Sequence, residues 1–201
     1  NLEESLPREI LRTNKSGAYH ASSIVDCNTR KYHGLLVIPA SEMHNTNTSS
    51  DNNYVLLSSL NETVVQHGAE FHLGLNEYEN RYFAPNGHKY IREYDCTVVS
   101  KTTYRVGGVI LTKEKLLVSF EPRVLIRYTL VEAGSPWVLR FQPFLAFRSV
   151  NELTHENNRA NANMDDCENG RVNRMYPEFP ELFMQFNKKV EYHHNPTWYK
   201  N

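Results

Sequence analysis

Regular alternation of apolar and polar side chains is the property of this sequence that most limits its fold. In residues 123–131, Arg127 and Thr129 fall on one side of an extended chain, and the opposite side is apolar: Val124, Ile126, Tyr128 and Leu130. Residues 136–147 behave in the same way, and one side carries Trp137, Leu139 and Phe141. A period of two predicts half-buried strands in an antiparallel sheet.

Turn signals separate these runs at short intervals. Gly107 and Gly108 lie between residues 102–106 and 109–120, which is a strong signal for a hairpin. No long segment shows the 3.6-residue period of an amphipathic helix. The alternating runs number roughly ten to fourteen, more than a minimal seven-stranded domain needs. The sequence therefore predicts an all-β fold, a large antiparallel two-sheet β-sandwich with little helix.

Composition excludes several classes of function. The chain has 201 residues and a formal net charge of −1, which gives no basis for binding nucleic acid. No apolar run approaches the roughly 20 residues that span a bilayer, so we expect no membrane insertion. The start of the sequence, residues 1–5, is polar and acidic and lacks a secretory apolar region. We therefore expect a cytoplasmic protein.

The cysteines and histidines predict no metal site and no disulfide framework. The three cysteines are widely spaced, which favours buried or idle thiols in a reducing compartment. His193 and His194 are adjacent and would project to opposite faces of a strand, so they could not easily share an ion. His67 and His72 straddle a probable turn and lack zinc-site spacing. We expect no metal and no cofactor.

A polar cluster directly before an apolar run is the strongest candidate for a site. Asn28, Arg30, Tyr32 and His33 lie just ahead of the apolar residues 34–37. Hydrogen-bonding and cationic groups held at the mouth of a strand suit a surface that grips a polyhydroxylated ligand or a neighbouring domain. The alternative is structural, with Asn28 shaping a turn and with Arg30 and His33 forming a satisfied polar cap.

Five blocks of sequence, in their order and spacing, carry a resemblance to a known family. They are residues 13–23, 28–37, 56–64, 143–148 and 153–157. From about Glu9 to Asn201 the chain resembles the N-terminal domain of bacterial and archaeal glycogen debranching enzymes. The block 28–37 and the pair of Phe147-Arg148 with 153–157 are its most specific parts. The family pattern would place a second glycine at Ala18, a small residue at Asp26 and an acidic residue at Asn61.

This resemblance implies where catalysis resides. Hydrolysis of α-1,6-glucosidic branch points would belong to a helical-barrel domain that follows this region and is absent from the chain. The family resemblance also brings with it a glucanotransferase step, which nothing in the sequence supports independently. Residues 1–201 would form a single super-sandwich domain without catalytic residues. A glycosidase needs two carboxylates flanking the scissile bond, and no pair stands out among Glu62, Glu156, Asp165, Asp166, Glu178 and Glu181.

Binding and assembly remain as the expected roles. The expected partners are an α-glucan, such as glycogen or a malto-oligosaccharide, and the enzyme's own catalytic domain. The residues predicted to make these contacts are Asn28, Arg30, Tyr32, His33, Arg148, His155, Glu156, Asn157 and Trp198. Arg148 could equally form a structural ion pair with Glu152 or Glu156, and Trp198 could pack in a linker. Two other functions stay open, an autonomous carbohydrate-binding module and a purely structural interdomain scaffold.

Two polar segments, residues 42–53 and 157–174, are predicted to be loops because they offer little apolar surface to bury. We interpret the first segment as a surface loop without a role in binding. The second follows His155, Glu156 and Asn157 directly, which favours a functional role there.

Overall fold

A computed structural model describes residues 1–44 and 52–199, and within them the regular secondary structure is almost entirely β-strand. It contains a short helix α1 (Leu2–Ser5) and single 3₁₀ turns at Ala40–Glu42, Glu79–Arg81 and Gly87–Tyr90. The strands are β1 (Glu9–Thr13), β2 (Tyr19–Ser23), β3 (Gly34–Pro39), β4 (Asn53–Gln66), β5 (Ala69–His72), β6 (Asn76–Tyr78), β7 (Tyr82–Ala84), β8 (Ile91–Asp95), β9 (Ser100–Val106), β10 (Val109–Leu117), β11 (Val124–Ala133), β12 (Val138–Ser149), β13 (Asp165–Cys167), β14 (Gly170–Asn173) and β15 (Leu182–Gln185).

The largest sheet has six strands in the order β1-β2-β3-β4-β12, and β5 also pairs with β4. All of its pairings are antiparallel. Strand β4 is long enough to pair with β3 along its first half and with β5 along its second half. It therefore forms the spine of this sheet.

A second sheet of four strands, β11-β10-β9-β8, packs against the first. Its central hairpin turns at Gly107 and Gly108, as the sequence predicts. Apolar residues of both sheets share one buried cluster that includes Val64 of β4, Val106 of β9 and Leu111 of β10. The predicted antiparallel β-sandwich is confirmed.

Sequence alternation also places the strands of this sandwich correctly. In β11 the side chains of Val124, Ile126 and Tyr128 are half-buried, and the intervening positions are exposed. Leu130, predicted on the same inward face, is instead 47% exposed, because the pairing of β11 with β10 shifts register beside it. Val124 and Ile126 pack against a second buried cluster, which contains Leu36, Leu56 and Phe147 from the larger sheet. The side chains at every second position from Val124 to Tyr128 therefore face the core of the sandwich.

Two small sheets are added to the sandwich, a hairpin of β6 and β7 and a three-stranded sheet β13-β14-β15. The second of these corrects a prediction, because residues 157–174 contain β13 and β14 rather than only a loop. Asp165 pairs with Val172 and Cys167 with Gly170 across a turn where Asn169 has a φ of 58°. For the other predicted loop, residues 45–51 lie outside the described residues.

The three cysteines are free thiols, with Cys27 buried, Cys96 exposed and Cys167 between the two. Within residues 1–44 and 52–199, no group of three or more His, Cys, Asp or Glu side chains is placed to hold a metal ion. The same part of the chain contains no helix long and apolar enough to cross a membrane.

Candidate functional site

The polar cluster predicted from the sequence lies in the loop that joins β2 to β3. The loop folds on itself, because the backbone N–H of His33 donates to the carbonyl of Arg30 at 3.0 Å. The N–H of Thr29 donates to Nδ1 of His33 at 3.1 Å. At the start of the loop, the N–H of Cys27 donates to Oγ of Ser23 at 3.0 Å. These bonds give the loop a defined shape without regular secondary structure.

Glu9 of β1 is the centre of the arrangement, although the sequence analysis did not select it. Its carboxylate accepts hydrogen bonds from Nε of Arg30 at 3.2 Å and from the hydroxyl of Tyr32 at 2.8 Å. Nε2 of His33 lies 3.5 Å from the same carboxylate. Tyr19 of β2 donates its hydroxyl to the carbonyl of Tyr32 at 2.8 Å. We call Glu9, Tyr19, Arg30, Tyr32 and His33 the Glu9 surface.

Exposure divides this surface into a buried support and an accessible rim. His33 is fully buried, while the Arg30 side chain keeps 59% of its area exposed and Glu9 keeps 29%. Tyr32 is 45% exposed. The outward groups are therefore a guanidinium and a phenol, both held in place by one carboxylate.

Protonation at neutral pH follows from these contacts. Burial alone would raise the pKa of Glu9, but hydrogen bonds from Tyr32 and Arg30 outweigh it and hold that pKa below its usual value. Burial lowers the pKa of His33 in spite of the neighbouring Glu9 carboxylate. Since Nδ1 of His33 accepts from a backbone N–H, the neutral ring carries its proton on Nε2, toward Glu9. The surface then holds one carboxylate and one guanidinium.

Arg148, which is distant in sequence, belongs to the same face of the six-stranded sheet as Tyr19. The pairings Tyr19 with Val37, Val37 with Val55, and Val55 with Arg148 form one row across β2, β3, β4 and β12. Directly paired residues point to the same side of a sheet, and three strand spacings amount to about 14 Å. Arg148 is close enough for its charge to act on Tyr19, although burial dominates and raises the pKa of Tyr19 to about 12.

The hydrogen bonds of Arg148 bear on the alternative that it forms an ion pair with Glu152. Its Nη1 donates to the carbonyls of Ser149 and Glu152, each at 3.0 Å. The bond to Glu152 therefore goes to the main chain and orders the chain just after β12. Burial lowers the pKa of Arg148.

The structure places the remaining predicted residues on other elements. His155 and Glu156 are exposed, and Asn157 donates to the His155 carbonyl and to the Tyr176 hydroxyl, both at 2.9 Å. Asn157 thereby shapes its own loop. Trp198 is half-buried in the C-terminal segment, whose Tyr199 ring packs against Tyr78 and Phe144.

Asn28 does not point to the rim; it connects the loop to the interior of the sandwich. Its Nδ2 donates to the carbonyl of Ser58 at 2.8 Å and to the Ser58 hydroxyl at 3.1 Å. Ser58 is the extra residue of a β-bulge, because Phe144 pairs with Ser59 and Leu145 with Leu57. The bulge thus gives the loop an anchoring point.

Behind the loop lies a network of buried charges that sequence reasoning missed. Lys113 contacts Asp26 at 3.1 Å and Glu62 at 2.5 Å, and Lys115 pairs with Asp26. Tyr128 donates its hydroxyl to Glu62. Burial alone would raise the pKa of Asp26, but the two lysines hold it well below its usual value. We call these five residues the ion network.

A signal for the network was present in the sequence. Lys113 and Lys115 follow Val109 and Leu111 at every second position of β10, so they fall on its inward face, and they are 2% and 5% exposed. Lysine is almost never so buried unless it is paired. Asp26, where the family pattern would place a small residue, has a φ of 57°, a conformation that aspartate tolerates.

Fold and site together define the class of this protein. It is an antiparallel β-sandwich domain that presents a polar, partly exposed surface at one loop and fixes that loop from within by paired charges. A family model described as "Glycogen debranching enzyme N terminal" matches residues 8–201. Because the match covers almost the whole chain, the chain belongs to this family, and the resemblance seen in the sequence is confirmed. Comparisons with curated proteins and with solved structures give no match.

Proposed function

We propose that this chain is a non-catalytic N-terminal domain that supports a helical-barrel glucosidase domain and contacts α-glucan through the Glu9 surface. One observation carries the proposal. The side chains of Arg30 and Tyr32 are exposed to solvent, yet hydrogen bonds to Glu9 hold both of them in place. A surface held rigidly before the ligand arrives loses less entropy on binding. Hydrolysis of α-1,6-glucosidic bonds belongs, in this proposal, to the barrel domain.

The state of the buried carboxylates supports a non-catalytic role. A glycosidase uses one carboxylic acid with a raised pKa as general acid. Asp26 has the opposite property, because two lysine neighbours lower its pKa. Glu62 is only 2% exposed and is already bonded to Lys113 and Tyr128. Neither group suits proton transfer to a sugar oxygen.

The chemistry of the rim supports a neutral polyhydroxylated partner. The guanidinium of Arg30 is planar and carries more donors than its bond to Glu9 uses. The exposed ring of Tyr32 offers an apolar face beside a polar hydroxyl, the combination that suits the face and edge of a sugar ring. Because Glu9 compensates the charge of Arg30, the rim does not require an anionic ligand.

The first test compares two exposed arginines in the longer protein that joins this domain to its barrel. We expect Arg30→Ala to lower kcat/KM on branched glucan about tenfold, as for loss of one charge-assisted hydrogen bond. The matched control is Arg123→Ala, which removes an arginine of similar exposure that pairs with Glu121 at 3.0 Å. An Arg30→Ala enzyme with wild-type kcat/KM would show that the Glu9 surface contacts neither substrate nor barrel.

A calorimetric titration of the 201-residue chain with a long malto-oligosaccharide separates the remaining alternatives. Saturable heat that Arg30→Ala abolishes indicates an autonomous carbohydrate-binding module. No heat, combined with an Arg30→Ala defect in the longer enzyme, indicates a surface completed by the catalytic domain. No effect in either experiment indicates a structural scaffold.

A further inference from the structure

A small polar cavity lies inside the sandwich, directly beneath the loop that carries the Glu9 surface. Its volume is about 20 Å³, which is room for one water-sized group. Side chains of β2, β4 and β10 and of the loop surround it, among them His20, Ser22, Asp26, Asn28 and Lys115. Asp26 borders the cavity and keeps 25% of its side chain exposed, so this residue connects the cavity lining with solvent beside the loop.

His20 is the group in this cavity that lacks partners. Its side chain is 98% buried, since only 2% of its area is exposed. Within residues 1–44 and 52–199, neither Nδ1 nor Nε2 makes a hydrogen bond of good geometry. The carbonyl of Gly34 lies close enough to act on the ring only weakly. A buried polar group without a partner costs free energy, and such groups are rare. An imidazole in this condition retains hydrogen-bonding capacity for a small group in the cavity.

The backbone around the cavity is shaped to open it. The bulge at Ser58 interrupts the alternation of β4, so that both Ser58 and Ser59 border the cavity. Bulges are frequent beside binding sites, because they change the direction of a side chain. Asn28 closes the same bulge through its bonds to Ser58.

Charge and donor chemistry limit what the cavity can hold. The ion network contributes two ammonium groups and two carboxylates, so its formal charges balance. A bare anion would leave one buried negative charge uncompensated, which is costly. Lysine N–H groups donate, Asp26 accepts, and a serine hydroxyl or an imidazole does both. A neutral hydroxyl, which also donates and accepts, matches this set.

We propose that the cavity binds one hydroxyl or hydroxymethyl group of a carbohydrate, which enters beside Asp26 and Asn28. The inference rests on the proposed function, because it gives the same α-glucan a second anchoring point on the inner side of the loop that carries Arg30 and Tyr32. The rest of the sugar lies outside, since the cavity volume accommodates a single small group.

The test is an NMR titration of the chain with maltotriose, observed at the Cε1–H signal of His20. Comparison with His20→Gln assigns that signal. We expect a saturable shift in the wild type and an apparent Kd about fivefold higher in Ser22→Ala, which removes one hydroxyl from the cavity with little change in shape. Thr129→Ala, an exposed position on β11, serves as the control and should bind as the wild type does.

The possible outcomes separate this inference from the proposed function. A shift of Tyr32 signals without one at His20 would overturn the cavity site and leave the Glu9 surface standing. The absence of any shift would also overturn the cavity site, while the Arg30→Ala assay still decides the proposed function. A His20 shift of equal size with chloride or phosphate would replace the hydroxyl by an anion and so contradict the inference. Equal affinity in Ser22→Ala and wild type would do the same.

Discussion

At the scale of single residues, burial controls the behaviour of His20. Burial is the main cause that lowers its pKa to about 3, and the charges of Lys115 and Lys113 act in the same direction. Asp26 and the Gly34 carbonyl oppose this shift without overcoming it. The folded protein therefore keeps this imidazole neutral at pH values where an imidazole in water would already be charged.

This difference predicts a dependence of stability on pH. Below pH 6.5 the unfolded chain binds a proton at His20, whereas the folded chain does not bind one until about pH 3. Stability should therefore fall as the pH falls through this window, and His20 alone should account for about 2–3 kcal/mol between pH 6.5 and 4.5. His33, whose pKa burial also lowers, contributes in the same direction.

Urea unfolding of wild type and His20→Gln at several pH values between 6.5 and 4.5 measures this effect. We expect His20→Gln to reduce the slope without abolishing it, because burial also lowers the pKa values of His33 and His88. His193→Gln, at an exposed position, is the control and should leave the slope unchanged. A slope in His20→Gln as steep as in the wild type would mean that His20 does not contribute and that other groups take up the protons.

At the scale of elements, the start of β3 depends on one glycine. A Cβ on Gly34 would lie 2.7 Å from Cγ2 of Val37 and 2.8 Å from Cγ1 of Val55. Both valines are completely buried, and they form the row that connects Tyr19 to Arg148. Gly34 therefore allows the polar loop to lie directly on the sheet.

We expect Gly34→Ala to destabilise the fold by about 1–3 kcal/mol, because overpacking a filled site forces side chains off their preferred rotamers. Gly134→Ala is the matched control, since nothing lies within 4 Å of a Cβ at that position, and it should change stability by less than about 0.5 kcal/mol. Guanidinium unfolding of both variants measures the difference. Equal stability of the two would indicate that the strands shift to accommodate the methyl group.

Some strands could be predicted from the sequence and others could not. The β9–β10 hairpin and strand β11 were predictable, because Gly107-Gly108 and a period of two are local signals. Strands β13 and β14 could not be predicted from periodicity, because Asp165 and Asp166 offer no apolar face and only the turn residues Asn169 and Gly170 indicate a hairpin. Glu9 was missed for a different reason, since only the pairing of β1 with β2 brings it to the loop.

At the scale of the whole molecule, the ion network joins the two sheets of the sandwich. Asp26 and Glu62 belong to the six-stranded sheet and its loop, whereas Lys113, Lys115 and Tyr128 belong to the four-stranded sheet. Since the pairs cross from one sheet to the other, they fix how the sheets stack and where the loop sits. A formal net charge of −1 for the chain gives no hint of this.

Removing one member of the network should cost far more than breaking an ion pair on the surface. Lys115→Met leaves Asp26 with one lysine in place of two, and an undercompensated buried charge costs about 3–5 kcal/mol. Arg127→Met breaks a pair on the outer face of the same sheet, where Arg127 is 74% exposed and bonds to Glu114 at 2.7 Å. Pairs of this kind contribute about 0–1 kcal/mol. Chemical unfolding of the two variants compares the costs.

Replacing both partners distinguishes the cost of an unpaired charge from the value of the pair itself. The double variant Asp26→Asn with Lys115→Met removes one charge of each sign, so it should recover part of the stability that Lys115→Met loses. The loop should nevertheless move, because Asp26 is the residue through which the second sheet holds it. Under the proposed function, the double variant should fold stably and still lower kcat/KM of the proposed longer enzyme on branched glucan. Wild-type kcat/KM in that variant would mean that the bonds of Asn28 and Glu9 alone position the loop.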